Sequence, residues 1–155
     1  MDFQNLEALI AFAIEKEKEA ANFYEENSES EMMSGKRQML KEFAAEERKH
    51  QKMLEDYLAT GVVDKLDDYR FKWIVDIKRS DYVDAVEYKP GMAYNELLML
   101  AIKREEVALK LYNQLQDKAE SDGAKKLFKM LCQEEAKHKL ALETMYDDYM
   151  AKMGD

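Results

Sequence analysis

Four long segments of the chain carry apolar residues at alternating spacings of three and four, which is the pattern of a buried helix face. Near the middle of each buried face, ionisable residues replace the expected apolar ones. These residues are Glu17, Glu47 with His50, Glu105, and Glu135 with His138. The chain must therefore fold into a helix bundle that brings charged groups into its core, and something must neutralise them.

The third and fourth segments repeat the first and second. Glu105 lies 88 positions after Glu17 (105 − 17 = 88), and the two Glu-x-x-His motifs are separated by the same offset. The offset also relates the apolar pairs Leu9 and Leu97, Ala13 and Ala101, Ile14 and Ile102, Ala20 and Ala108, Tyr24 and Tyr112, and Leu54 and Leu142. The repeat predicts two helix hairpins of one design, and both histidines of the chain belong to it.

The composition favours an all-α fold in a single domain spanning residues 1–155. One Pro and five Gly, against 46% hydrophobic and 37% charged residues, suit long helices joined by short turns. The helix pairs are predicted over about 5–60 and 92–152. The first helix is expected to begin at an N-cap at Asn5 and to end at 27–30, and the second to run from about Gly35 to Thr60 and Gly61. The third is expected to begin after Pro90 and Gly91 and to end near 121–123, where the fourth begins.

A crossover of about 62–90 is too long for a simple turn. We expect it to run along the bundle and to hold a short helix or an extended piece at about 69–84. Its apolar anchors would be Phe71, Trp73, Ile74 and Ile77. The predicted architecture is a four-helix bundle of two antiparallel hairpins joined by one long crossover.

Charge and cysteine content narrow the classes of function. A net charge of −9 and a pI near 4.9 disfavour nucleic acid as a partner. The apolar run from Leu6 to Ile14 lacks a basic flank, so we expect neither a signal peptide nor a membrane span. Cys132 is the only cysteine, which excludes an internal disulfide and predicts a buried helix residue. These features favour a cytoplasmic protein.

The core carboxylates predict a dinuclear metal centre. Four glutamates facing one another in a core would repel or take up protons. Two divalent cations balance the four negative charges and leave both histidines neutral and able to ligate. Because Glu and His at i and i+3 share one helix face, each motif can present two ligands. Oxygen and imidazole ligands suit iron or manganese, and zinc is a further candidate. The predicted ligands are Glu17, Glu47, His50, Glu105, Glu135 and His138.

At these residues the sequence resembles the ferritin-like di-iron carboxylate proteins, and within them the rubrerythrin family. The matching motifs are Glu17-x-x-Ala20-x-x-x-Tyr24 with Glu47-x-x-His50, and their counterparts 88 residues later. The resemblance implies a ferritin-like bundle holding two iron ions, with one glutamate ligand each from the first and third helices. It covers roughly 5–60 and 92–150 and leaves the crossover unassigned.

Two departures from full-length rubrerythrins bear on function. The paired Cys-x-x-Cys motifs of their rubredoxin-like site are absent, so the resemblance implies a separate electron-donor protein such as a rubredoxin. Their extra glutamate one turn after the third-helix ligand is replaced here by Ala108. The remaining set of four glutamates and two histidines is also the one that bacterioferritins use. The ligands therefore leave peroxide reduction and iron oxidation both open.

Four residues beside the predicted ligands each have two possible roles. Tyr24 and Tyr112 either donate their hydroxyls to ligand carboxylates or are structural core residues. Glu46 and Glu134 either orient a histidine or are solvated charges, and we favour the role of solvated charges.

Three functions remain in contention. The leading one is a di-iron oxidoreductase that reduces hydrogen peroxide or dioxygen. The second is a ferroxidase or iron-storage protein, which needs a cage-forming oligomer. The third is a non-enzymatic module in which the metal only stabilises the fold. The rubrerythrin-like motifs and the crossover favour the first, as does Arg48 after Glu47, where bacterioferritins carry a haem-ligating methionine. We expect a homodimer, with crossover residues such as Trp73 in the contact.

Overall fold

The computed structural model describes residues 6–29, 37–61 and 93–153. It contains four helices: α1 (Leu6–Ser28), α2 (Arg37–Thr60), α3 (Tyr94–Lys118) and α4 (Asp122–Met153). No strand occurs in these three ranges. Helix α1 packs along α2, and α3 packs along α4, while α1 also contacts α3. The predicted all-α four-helix bundle of two hairpins is confirmed.

The helix ends follow from local hydrogen bonds. Gly61 follows α2 with φ of 70°, a left-handed conformation that favours glycine, and its N–H donates to the carbonyl of Tyr57 at 2.8 Å. Before α4, the Oγ of Ser121 accepts a hydrogen bond from the N–H of Ala124 at 3.1 Å. Ser121 therefore acts as the N-cap.

The predicted boundary at 121–123 needs a small correction. Helix α3 ends at Lys118, and Gly123 lies in the first turn of α4 rather than between the helices. The reason is that the Ser121 cap starts α4 before the glycine, and a glycine in a first turn leaves the helix intact.

The apolar core consists of two halves, one at each end of the bundle. The first half contains Leu9, Ile10, Ala13, Ile14, Leu54, Leu111, Tyr112, Leu115, Leu127, Phe128 and Leu131. The second half contains Phe23, Tyr24, Leu40, Phe43, Leu97, Leu98, Ala101, Ile102, Leu142 and Met145. Every helix contributes to both halves, so the middle of every helix lies between them. That middle level is where the ionisable residues of the repeat fall.

Several predictions lie outside the described residues: the N-cap at Asn5, the start at Gly35, the pair Pro90 and Gly91, and the crossover at 62–90 with Phe71, Trp73, Ile74 and Ile77. Among the described helices, none combines the length and the apolar character that crossing a membrane requires.

Candidate metal centre

The six residues that the sequence singled out come together between the two apolar halves. Helices α1 and α3 each supply one glutamate, and α2 and α4 each supply a glutamate and a histidine one turn apart. All six are almost fully buried, with exposed fractions of 2% for Glu17, 1% for Glu47, 3% for His50, 2% for Glu105, 1% for Glu135 and 2% for His138. Burying so many ionisable groups is costly unless they are paired or bind a cation.

The six side chains form two overlapping groups. Glu17 and His50 lie with Glu47 and Glu135 in one group, and the other group is Glu47, Glu105, Glu135 and His138. Within each group, one potential ligand atom per residue lies within 4.8 Å of all the others. Glu47 and Glu135 belong to both groups. The arrangement can therefore hold two cations that share two carboxylates.

Each histidine turns its Nδ1 atom towards the carboxylates. In His138, Nδ1 lies 2.7 Å from Oε1 of Glu47, and in His50 it lies 2.9 Å from Oε1 of Glu135 and 3.7 Å from Oε2 of Glu17. Nε2 of His138 contacts Oε2 of Glu46 at 2.5 Å. A histidine held by a carboxylate on one nitrogen and facing a cluster with the other is a common metal-ligand arrangement.

Two tyrosines cross between the hairpins to reach the site. The Tyr24 hydroxyl of α1 donates to Oε1 of Glu105 on α3 at 2.5 Å, and the Tyr112 hydroxyl of α3 donates to Oε1 of Glu17 on α1. Burial and the neighbouring carboxylates raise the pKa of both hydroxyls well above the usual value. The tyrosines therefore remain protonated and act as donors that fix the two glutamates.

The pKa values of three of the buried carboxyl groups are shifted, and not all in the same direction. Burial, then the charges of neighbouring glutamates, raises the pKa of Glu47 and Glu135 well above the usual range. Burial opposes ionisation of Glu17 as well, but its polar contacts with Glu47 and His50, the charge of His50 and the hydrogen bond from Tyr112 bring its pKa down to about 2. Without a cation, the shared carboxyls therefore hold protons while Glu17 stays ionised.

The pKa of His138 is also shifted. Burial lowers it, but contacts with the carboxylates of Glu105 and Glu46 outweigh burial and raise it well above the usual value. The hydrogen bond to His138, opposed by partial burial, lowers the pKa of Glu46. These shifts describe a site that binds protons when no cation is present, so cation binding should release protons.

Buried polar atoms without hydrogen bonds favour a cation at this site. Oε2 of Glu17, Oε1 of Glu47, Oε2 of Glu105 and Nδ1 of His138 are buried and make no hydrogen bond. The short contact between His138 and Glu47 therefore does not have hydrogen-bond geometry. Orphaned oxygens and an imidazole nitrogen that converge on one place are a donor set suited to iron, manganese or zinc.

The glutamates that precede the shared ligands have different surroundings, although the repeat relates them. Glu46 contacts His138, whereas the carboxylate of Glu134 lies 3.3 Å from Nζ of Lys137. Glu46 therefore touches a predicted ligand although its side chain is half exposed.

Helix α4 also buries two charged residues that the sequence did not predict to be buried. Lys139 is 2% exposed and its Nζ lies 3.1 Å from Oε1 of Glu106, and Glu143 one turn later is 1% exposed. The repeat offers no signal for this burial, because the equivalent positions, Gln51 and Glu55, are not fully buried.

A cavity of about 570 Å³ lies between α1 and α3 and reaches the site. Its lining includes the buried ligand candidates Glu17, Glu47, Glu105 and Glu135. We refer to it as the α1–α3 cavity. The sequence does not predict this cavity, although the small residues Ala20 and Ala108 that line it belong to the repeated motif.

The helix bundle with its buried carboxylate and histidine cluster defines a ferritin-like protein that can bind metal. The chain belongs to the Rubrerythrin family, whose family model matches residues 2–58 and 96–153. The family resemblance drawn from the motifs is thereby confirmed.

A solved structure supports the fold. A hypothetical protein from Pyrococcus furiosus superposes with a TM-score of 0.69 at 21% sequence identity, covering 93% of this chain and 89% of that one. At this identity the likeness bears on the fold alone. The comparison with curated proteins found no match.

Proposed function

We propose that the protein is a non-haem di-iron oxidoreductase that reduces hydrogen peroxide or dioxygen with electrons from a separate donor protein such as a rubredoxin. The observation that carries this proposal is the pair of buried groups that share Glu47 and Glu135. Family membership supports it, because the same chain region matches the Rubrerythrin model.

In this proposal, Glu17 and His50 would hold one iron ion, and Glu105 and His138 would hold the other. Glu47 and Glu135, which belong to both groups, would be available to both ions. Two divalent ions balance the four carboxylates, so the loaded core is neutral with both histidines uncharged. When bound, two ferrous ions supply the two electrons that convert hydrogen peroxide and two protons to two water molecules.

The surrounding residues position the ligands for this chemistry. The hydroxyls of Tyr24 and Tyr112 donate to Glu105 and Glu17, so these carboxylates keep their orientation when the charge of the site changes. Glu46 accepts a hydrogen bond from Nε2 of His138, which leaves Nδ1 with its lone pair directed to the cluster. The α1–α3 cavity gives a small oxidant a path to the carboxylates.

Anaerobic iron loading followed by oxidant addition tests the proposal. Diferrous protein should consume one peroxide per pair of irons and then stop, because no electron donor is built into the described helices. Adding a reduced rubredoxin should restore continuous turnover. We expect peroxide to react faster than oxygen, and the protein to remain a dimer with two irons per chain throughout.

An iron-storage function predicts a different result from the same sample. Excess ferrous iron would be oxidised and retained in large soluble particles, and the protein would run as a multi-subunit shell. That result, or a loaded protein inert to both oxidants, would overturn the proposal.

A further inference from the structure

The α1–α3 cavity is much larger than the proposed oxidants need. Its volume is about 570 Å³, whereas one water molecule in the liquid occupies roughly 30 Å³ and hydrogen peroxide about twice that. Pockets of about 300–1,000 Å³ are the size that binds organic molecules. Two alanines leave this space open. Ala20 and Ala108 follow Glu17 and Glu105 by three residues, so both lie one turn from a predicted ligand, on the lining of the cavity.

The mouth of the cavity is basic although the protein is acidic. Besides the four buried ligand carboxylates, the charged lining residues are the cations Lys16, Lys103, Arg104 and Lys110 and the anions Glu19 and Glu106. Glu106 is paired with the buried Lys139 at 3.1 Å, and Glu19 with Lys16 at 3.3 Å. The cations are partly or fully exposed, whereas the ligand carboxylates are buried. The four cations, which we call the rim, therefore outnumber the two anions beside them. Two divalent ions would neutralise the four buried carboxylates, which we call the floor.

Apolar side chains, most of them on α3, also line the cavity wall. They are Leu100, Val107, Ala108 and Leu111 of α3 and Ala20 of α1. Val107 is 46% exposed, so the apolar part of the lining reaches the surface. Apolar side chains form no hydrogen bonds with hydrogen peroxide, but burial against them stabilises the hydrocarbon part of an organic ligand.

We propose that the α1–α3 cavity binds an organic anion with an apolar body, such as a fatty-acid-like carboxylate, beside the metal centre. The anionic group lies among the rim cations, and the hydrocarbon part lies along the α3 wall.

This inference rests on the proposed function for its reaction, and it names the substrate class. The substrate is then an organic hydroperoxide that carries a carboxylate. With two ferrous ions bound, the site would supply the two electrons that, with two protons, convert such a hydroperoxide into an alcohol and one water molecule. The separate donor protein would resupply these two electrons.

Binding of octanoate to the zinc-loaded protein tests the inference without any turnover, because zinc has no redox chemistry. Isothermal titration should show octanoate binding at one site per chain. Acetate should bind much more weakly because it lacks the hydrocarbon body. The neutral octanamide should bind more weakly than octanoate, and raising the salt concentration from 0.1 M to 1 M should reduce the difference by screening the rim.

Two kinds of variant locate the site. Lys110→Gln and Arg104→Gln should each weaken octanoate binding roughly two- to fivefold, as expected for exposed charge pairs, whereas Lys52→Gln on α2 should have no effect. Ala108→Phe fills the cavity and should abolish binding, whereas the exposed Ala59→Phe should not. Circular dichroism establishes that each variant is folded, and the charge variants test the site even if Ala108→Phe unfolds the protein.

Octanoate that fails to bind, that binds no better than octanamide at low salt, or that still binds to folded Ala108→Phe would overturn the inference. None of these results bears on whether the diferrous protein reduces peroxide. Conversely, octanoate binding to a protein that is inert to peroxide would refute the proposed function and leave the binding site in place. The two failures are therefore distinguishable.

Discussion

Removal of metal from the loaded protein should lower its melting temperature by about 10–20 °C. The two buried groups around Glu47 and Glu135 hold two ions. At a free metal concentration 100-fold above the dissociation constant, each ion stabilises the folded state by ~2.7 kcal/mol. Two ions therefore contribute about 5 kcal/mol, and a domain of this size gains about 2–4 °C for each kcal/mol.

Differential scanning calorimetry with buffered ferrous iron under anaerobic conditions, with and without chelator, measures this difference. The physical reason for the effect is that the apo core must either protonate its shared carboxyls or leave like charges facing one another. Exposed Glu55→Ala on α2 serves as the control and should show the full metal-dependent shift. Equal melting temperatures with and without metal would refute the reasoning, because a buried six-ligand site cannot bind cations without stabilising the fold.

The remaining predictions concern protons and the residues that hold the ligands. Apo protein should become less stable as pH rises from 5 to 8, because the shared carboxyls and the α4 histidine have folded pKa values above their unfolded ones, so the folded state binds more protons there. The lowered pKa of Glu17 acts in the opposite sense only below pH 4.5. Thermal melts with a chelator across pH 5 to 8 measure the first effect, and melts continued below pH 4.5 measure the second. Tyr112→Phe removes the donor to a buried carboxylate and should cost about 1–3 kcal/mol of unfolding free energy in the loaded protein, whereas Tyr146→Phe, on the periphery of the core, should change it little in the same denaturant titration. Glu46→Gln should weaken metal affinity by about tenfold, with Glu134→Gln as the matched control, and unchanged affinity in a competitive chelator titration would show that the contact of Glu46 with histidine has no role in binding.

The sequence predicts the bundle and the meeting of the six residues because both depend on helix periodicity. Glu47 and His50 are three residues apart, so a helix must place them on one face. The 88-residue offset then places the equivalent pair at the same level of the second hairpin. To predict that the six residues meet, one must also know which face of each helix is buried, and apolar residues such as Leu40 and Leu54 indicate that face.

The sequence could not predict how the two hairpins differ from each other or how they dock. Glu46 and Glu134 occupy equivalent positions in the repeat, yet only Glu46 contacts a histidine in the described interactions. Lys139 is buried, whereas its equivalent, Gln51, is not fully buried. The contact of Glu46 with His138 joins the two hairpins, whereas Lys139 pairs with Glu106 inside the second hairpin. The second case is a difference between the two copies of the repeat. The α1–α3 cavity likewise depends on the separation of two helices, which periodicity does not specify.

The number of metal ions lost on substitution of shared and unshared ligands tests the central claim most directly. Metal analysis of the purified, iron-loaded protein should give two ions per chain. Glu47→Ala should reduce the content towards zero, because Glu47 belongs to both groups, whereas His50→Ala should leave one ion, because it belongs to one. Two ions retained in both variants, or the same loss from both, would contradict a dinuclear centre with shared carboxylates.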